Sequence, residues 1–435
     1  MASNSQTKSA GAASTKRSTG RVLRRLLMAS AAAVASAAWL GVGCGTGFDP
    51  ISKVNTLRVF SVVPEKVREC EDVAACLEGE TCDEGRCRGE DCASDEDCLA
   101  GERCLTEVCR SFQGASYANP GDVVRFKMTY EDGFVDPDDP EAGPRPVQIA
   151  WLGGCYDPEG DQYFDCYDQI ADLLLGFAET IGGLEGGVPE GELPPLPEEF
   201  AFGPGLDEFT LRLPLDIISR RPEPPSGPHY GIAYVFFALC AGELRLVPSE
   251  GTSDAGSFPL GCFDPSGKRL GAESFLPGYT QVYAFADGRT NANPRVSGLA
   301  LDGNEIPAGE SPTVAACALT EEERNFSGCD AKDPKEECTV YEVDVLVPSD
   351  VAEVDPDGTS LEGEQLTEPV WVDYYADGGD LESSVKLVSD ALAGYNDDHS
   401  VEWLPPDKPG LYNVWAVVHD ARGGSAIVSR EILVQ

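Results

Sequence analysis

The stretch VEWLPPDKPGLYNVWAVVHDARGGSAIVSREILV, residues 401–434, decides how the rest of the chain is read. Within it Tyr412, Val414, Ala416 and Val418 fall on one side of an alternating run, with Trp415 and Val417 on the other. A period of two belongs to a strand, so 411–419 and 425–434 read as consecutive strands. Working backwards, 295–301, 339–347, 369–375, 381–389 and 399–403 carry the same kind of run. Together they make a β domain beginning near Asn293-Pro294 and occupying 288–435.

The segment before it repeats the pattern. Residues 55–63 alternate and stop at Pro64. In 122–130, Val124, Phe126, Met128 and Tyr130 share one face against Arg125, Lys127 and Thr129. Further strands are expected at 147–151, where Trp151 points inward, at 209–213, at 231–240 and at 281–286. The run 231–240 is nearly all apolar and therefore central. Residues 168–181 place Ile170, Leu173, Leu174, Phe177 and Ile181 on one helical face, the pattern of a covering helix. Stretches 182–207 and 221–227 read as Gly/Pro/Glu-rich loops.

With Gly410 and Tyr412 opening one strand and Asp420 and Gly423 at the following turn, 401–434 resembles the last two strands of bacterial immunoglobulin-like and PKD-type domains. The resemblance covers roughly 35 residues, the rest following by strand pattern. It implies a β-sandwich used for adhesion, spacing or assembly. The expected fold is all-β: two immunoglobulin-like β-sandwich domains with an inserted disulfide-rich tandem repeat and a short covering helix.

That repeat is explicit. Cys70, Cys76, Cys82 and Cys87 recur 22 residues later as Cys92, Cys98, Cys104 and Cys109, and Leu77/Leu99, Gly79/Gly101, Glu80/Glu102 and Arg88/Arg110 match at the same offset. Each copy is too short to bury a core, so its fold must rest on cross-links. Four cysteines per copy allow three pairings, and the sequence leaves them open. The pattern resembles small Cys-rich repeats of extracellular proteins, which implies a spacer or a binding knob. The module occupies 68–111, inserted into a first sandwich of 55–67 and 112–287. Of the other cysteines, Cys155 with Cys166 and Cys240 with Cys262 flank loops and are expected to pair. Cys317, Cys329 and Cys338 leave one odd.

The N-terminus reads as an address. Six bases and no acid precede residue 44, and a basic region ending at Arg24-Arg25 leads into the apolar stretch 26–43. That is the layout of a secretory signal. The residues Leu40-Gly41-Val42-Gly43-Cys44 resemble the bacterial lipobox, which implies cleavage before Cys44 and acylation of its thiol and amine. Residues 1–43 are then a lipoprotein signal peptide and 44–54 a lipidated tether. Gly45 stands where an Asp would imply retention at the inner membrane, so the outer membrane is expected, on its periplasmic or surface face. An ordinary cleaved signal and an uncleaved anchor are the competing readings.

Composition bounds the function. The chain has 435 residues with 75 acids against 32 bases, and 16 cysteines against only three histidines. Such acidity argues against nucleic acid as a partner, because binding a polyanion depends on displacing its counterions with basic residues. Cysteines in such number, without zinc spacing, fit an oxidising compartment and disulfides.

No catalytic residues stand out: H-E-x-x-H, a P-loop, a dinucleotide fingerprint and a nucleophile elbow are all missing. His229 and His399 are expected in exposed polar turns, and His419 lies beside Asp420 at a strand end. Glu353, Asp355, Asp357 and Glu364, with Gly358, match the spacing of an EF-hand loop and make a possible calcium site. No other cofactor is expected.

These features make the chain a non-enzymatic, lipid-anchored envelope protein serving binding, adhesion or assembly, attached to the membrane by its lipid and meeting an envelope or extracellular protein partner. An exported hydrolase or carbohydrate-binding enzyme is the first alternative. Sugar sites on sheets show clustered exposed aromatics, and the five Trp are scattered. A calcium-stiffened adhesin is the second.

Overall fold

The computed structural model describes residues 52–99, 102–135, 143–182, 197–247, 258–326 and 332–435. Cys44 and the signal and Cys329 lie outside them. So do the side chains of Phe177 and Ile181.

The chain enters the first sandwich through β1 (Leu57–Val67). The Cys-rich copies follow as two hairpins, β2 (Thr81–Asp83) with β3 (Arg86–Arg88), then β4 (Glu102–Leu105) with β5 (Val108–Gly114). Next come β6 (Val123–Asp132), β7 (Gln148–Tyr156), helix α1 (Cys166–Gly182), β8 (Phe200–Pro204), β9 (Glu208–Arg212) and β10 (Tyr230–Cys240). The small hairpin β11 (Glu243–Leu246) with β12 (Leu260–Phe263) and the long β13 (Phe275–Phe285) complete it. One sheet runs β4-β5-β1-β6-β9 and the other β13-β10-β7-β8.

Between them Leu57, Val124, Phe126 and Met128 meet Ile149, Trp151, Val235, Phe237, Leu239 and Val282, all buried. Trp151 stacks on Phe209 with centroids 5.7 Å apart and donates its indole N–H to the Leu206 carbonyl at 2.8 Å. This satisfies the one polar atom that burial would otherwise strand.

β10 is apolar throughout because it is buried on both faces. Its even-numbered residues Ile232, Tyr234, Phe236 and Ala238 point away from the sheet-to-sheet core into a third layer built by α1 and the β11–β12 hairpin. Ile170 of α1 is buried there and Leu174 packs against it, but Leu173 is exposed, so the covering face is narrower than the sequence implies. The Cys155–Cys166 and Cys240–Cys262 bonds tie α1 to β7 and the end of β10 to β12.

Two elements depart from the sequence reading. Pro64 does not end β1. It sits opposite Phe126 in the ladder, and the carbonyls around the bend still find donors, Ala115 N–H reaching Pro64 at 3.1 Å. And 200–204, read as loop, is strand β8, recruited by pairing with β7 despite its glycine and proline.

The second sandwich comprises β14 (Gly298–Leu301), β15 (Asn304–Ile306), β16 (Thr313–Val314), the short helices α2 (Glu321–Asn325) and α3 (Pro334–Glu337), and β17 (Tyr341–Leu346). A hairpin follows, β18 (Val354–Thr359) with β19 (Gln365–Thr367). The rest are β20 (Val370–Ala376), β21 (Asp380–Leu381), β22 (Val385–Asp390), β23 (Gly394–Tyr395), β24 (Val401–Leu404), β25 (Gly410–Asp420) and β26 (Ser425–Val434). The sheets run β15-β14-β17-β24-β21 and β16-β26-β25-β20-β22-β23. β25 and β26 form one unbroken antiparallel ladder from Gly410–Val434 to His419–Ser425. Val414, Ala416 and Val418 point into the core against Val343, Val345 and Trp403.

Tyr374, fully buried, donates its hydroxyl to the His399 carbonyl at 3.0 Å and accepts from Val345 N–H at 3.1 Å. His399, expected in an exposed turn, is itself 3% exposed. Its ring bridges the carbonyls of Asn396 and Val345, at 2.8 and 3.2 Å. The polar sequence around it gave no sign of that burial, which arises because the ring plugs the end of the sandwich.

Within each Cys-rich copy the bonds join first to third and second to fourth cysteine: Cys70–Cys82, Cys76–Cys87, Cys92–Cys104 and Cys98–Cys109. The matched glutamates explain themselves. Glu80 accepts from Leu77 N–H at 2.8 Å and Glu102 from Leu99 N–H at 3.0 Å, each carboxylate buried as an internal cap. The module does not hang from a flexible loop. β5 pairs with β4 on one side and with β1 on the other, so the second copy extends a sandwich sheet.

Candidate functional site

The sandwich cores are filled, so a site has to lie at an end or on a face. The first sandwich offers one where β7 leaves its sheet and β10 enters. Beyond Tyr156 the backbone turns sharply, with Asp157, Gly160 and Asp161 all at positive φ (51, 64 and 58°). Non-glycine residues rarely adopt that region, aspartate more readily than most because its short side chain bonds the local backbone.

The turn presents both carboxylates to one guanidinium. Arg221 donates from Nε to Asp157 Oδ1 at 2.8 Å and from Nη1 and Nη2 to Asp161. Tyr230 donates its hydroxyl to Asp161 Oδ2 at 2.7 Å, and Ile232 N–H reaches Asp157 Oδ1 at 2.8 Å. The Arg221 guanidinium also lies 4.8 Å from the centre of the Tyr230 ring, and Arg220 lies 5.1 Å from that of Tyr156. Gly231 makes this closure possible: a Cβ there would stand 2.4 Å from the Ile217 carbonyl oxygen, so only glycine lets the Arg-bearing loop settle on β10.

Electrostatics separate the two acids. Burial raises the Asp157 carboxyl above its ordinary range, and the bonds from Ile232 and Arg221 offset this only in part. Burial also acts on Asp161, but hydrogen bonds from Arg221 and Tyr230 outweigh it and hold that carboxyl below the usual range. The hydrogen bond to Asp161, with burial, raises the Tyr230 hydroxyl, and burial pushes Tyr156 up to about 12.

A cavity of about 650 Å³ opens here. Tyr156, Tyr230, Pro222, Pro224, Pro225 and Pro228 make its apolar walls, and Asp157, Arg220, Arg221 and His229 its polar ones. His229 Nε2 stands 3.2 Å from the Arg221 carbonyl, which fixes that nitrogen as a donor. From Tyr230 an aromatic strip continues over the outer face of β10 and β13. Tyr283 and Phe285 lie 5.6 Å away, Tyr117 4.7 Å from Phe285, Tyr279 5.7 Å from Tyr234, and Tyr163 stacks on Tyr279 at 4.3 Å. The sequence reading weighed only the scattered tryptophans and left the tyrosines out. The tyrosines cluster, and Tyr279 is 43% exposed. Their odd-numbered spacing in 275–285 was the available signal.

The EF-hand-like spacing falls on the β18–β19 hairpin. Its acids face arginines: Asp357 pairs with Arg289, while Glu353 and Asp355 lie 3.5 and 3.9 Å from Arg422. Gln365 donates into the loop to the carbonyls of Asp355 and Gly358. Glu364 holds Ser360 through its backbone only. The four carboxylates are not brought around one point. Among the described residues, the metal-compatible clusters are Cys70/Cys76/Cys87 and Cys92/Cys98/Cys109, whose sulfurs are all in disulfides.

His419 stacks on Trp371 at 5.4 Å and lies 3.3 Å from Asp373, while its neighbour Asp420 turns inward to cap Arg422 and Gly424. Cys317 bonds Cys338.

No family model matches the chain, and no curated protein does. Solved structures similar to it include the D0-D1 domain of intimin, 11% identical over 74% of this chain and 94% of that one, with a TM-score of 0.16. Fibronectin(III)-like modules of CbhA from Clostridium thermocellum are 9% identical over 73% and 87%, TM-score 0.16. A red sea bream transglutaminase is 11% identical over 74% and 30%, TM-score 0.18. The architecture defines the chain as an all-β protein of immunoglobulin-like sandwiches with a disulfide-rich repeat. Among the described residues no helix is long and apolar enough to cross a membrane.

Proposed function

We propose that this chain is an exported, lipid-anchored protein of a bacterial outer membrane that serves binding or assembly and not catalysis. The observation that carries the reading is cysteine usage: every cysteine among the described residues is in one of seven disulfides. Such pairing belongs to an oxidising compartment. The basic region, the apolar stretch 26–43 and Cys44 supply the route and the anchor. Only seven residues lie between Cys44 and Ser52, eight Cα steps and at most about 29 Å of extended chain.

Asp157 and Asp161 share the Arg221 guanidinium, an arrangement that fixes the wall of the cavity. The strong net negative charge turns the protein away from nucleic acid and anionic headgroups, leaving a cation, a basic partner or simple solubility as what the charge serves. Chemical cross-linking of intact cells followed by mass spectrometry tests this. A recurrent set of envelope proteins captured with the chain supports an assembly role, and capture of cytosolic proteins alone contradicts it.

A further inference from the structure

We propose that the cavity between Asp157 and the proline-rich loop, with the tyrosine strip beyond it, binds a neutral sugar chain. This rests on the reading of the chain as a binding protein and not on its anchor. Three observations converge.

The first is an unmet acceptor. The Asp157 side chain is 5% exposed, and its Oδ2 has no hydrogen-bond partner, although Oδ1 takes two. A carboxylate oxygen left unpaired in a buried wall is costly, and a donor brought by a ligand relieves that cost.

The second is the alternation of wall types. Flat apolar surfaces, the prolines and the parts of the Tyr156 and Tyr230 rings that Arg220 and Arg221 do not cover, stand beside groups of both hydrogen-bonding senses. A pyranose ring has the matching make-up: an apolar C–H face that packs on an aromatic ring, and a rim of hydroxyls that each donate and accept.

The third is extent. Tyr279 and Tyr283 lie four residues apart on one face of β13, about 13 Å along the strand, and Tyr230 joins that strip to the cavity. Of this strip Tyr279 is exposed and Tyr230 and Tyr283 are half-buried, a span longer than a single small molecule and matched by a chain of sugar rings.

Other ligands fit less well. A cation would compete with the Arg221 guanidinium, already seated between Asp157 and Asp161. An anion meets Asp157, Glu159, Asp161 and Glu223 around only two arginines. A proline-rich peptide suits the apolar walls, but its prolines carry no N–H to offer Asp157.

The test is calorimetric titration of the full mature protein with cellohexaose, maltohexaose and chitohexaose, and with decaproline as the peptide comparator. At least one hexasaccharide is expected to bind with a Kd below about 1 mM, and Tyr230→Ala to weaken it at least about tenfold. Should that variant fold poorly, Tyr279→Ala, a change at a half-exposed site, is expected to weaken the same ligand measurably while circular dichroism shows the protein still folded. Binding of none of the three sugars overturns the proposal, as does binding that both tyrosine variants leave intact, or binding of decaproline in their place. An unmodified Cys44 would overturn the anchor and leave this result standing.

Discussion

Phe60 of the first sandwich lies against Trp415 of the second with ring centroids 4.9 Å apart. Tyr375 closes on the same ring at 5.0 Å, and Val54 and Val417 complete a small buried cluster. Beside it the buried Asn291 amide donates to Ser116 at 2.8 Å and to Asp420 at 2.9 Å, stitching the two sandwiches through polar atoms. The pair is joined by a packed interface, not strung on a linker.

Truncating Phe60 to alanine therefore removes an aromatic from a cluster with little else to fill the gap. The expected cost is about 3–5 kcal/mol, read as a lower thermal midpoint. Scanning calorimetry should show one shared transition in the parent protein and a split or broadened one in Phe60→Ala. A variant that melts as one sharp unit at the parent midpoint contradicts the interface.

The two Cys-rich copies should respond unequally to loss of a disulfide. Each bond closes a short loop and stabilises by about 2–4 kcal/mol. Cys98–Cys109 anchors β5, which also carries the sandwich ladder to β1, whereas Cys76–Cys87 anchors β3, which pairs with β2 and meets the chain beyond β1 through an Arg86–Glu69 bridge and a Cys87 N–H to the Arg68 carbonyl. Replacing Cys98 and Cys109 by serine is expected to lower the midpoint of the first sandwich by several degrees, and the same change at Cys76 and Cys87 to lower it by less.

The junction also titrates. Glu368 is 3% exposed beside Arg422, and burial pushes its carboxyl up to about 7 despite a bond from Glu353 N–H. A carboxyl raised on folding binds its proton more tightly in the native state. The native fold is thus disfavoured as pH rises from about 4.5 to about 7, by on the order of 2–3 kcal/mol. Glu368→Gln should flatten that slope, and urea denaturation at pH 5 and pH 8 measures it. An identical slope in the variant contradicts the assignment.

Much of this was legible beforehand, and the failures share a cause. The β25 and β26 ladder, the β6 face and the repeated cysteines are local signals: a period of two or a fixed offset survives in one sequence. The tyrosine strip is not local. Tyr230 and Tyr283 come together only through the β10–β13 register, which pairs Tyr230 with Phe285 and Ile232 with Tyr283. Asp157 and Asp161, on one turn, are likewise distant in sequence from Arg221, which stands at the start of a loop that reads as Gly/Pro-rich filler. His399 and β8 were missed because burial by a neighbouring element overrides a polar or glycine-containing sequence.

The acidic hairpin β18–β19 yields a further expectation. With Asp357 on Arg289, and Glu353 and Asp355 beside Arg422, millimolar calcium should leave the thermal midpoint unchanged relative to magnesium. A selective rise with calcium would show that the arginines yield to the ion, and would favour the stiffened-adhesin reading.

Export with a lipid at Cys44 can be read from the mass of the N-terminal peptide of the native protein. The prediction is a mature chain beginning at Cys44 and carrying acyl groups on that residue. A chain that begins elsewhere, or at an unmodified Cys44, contradicts it.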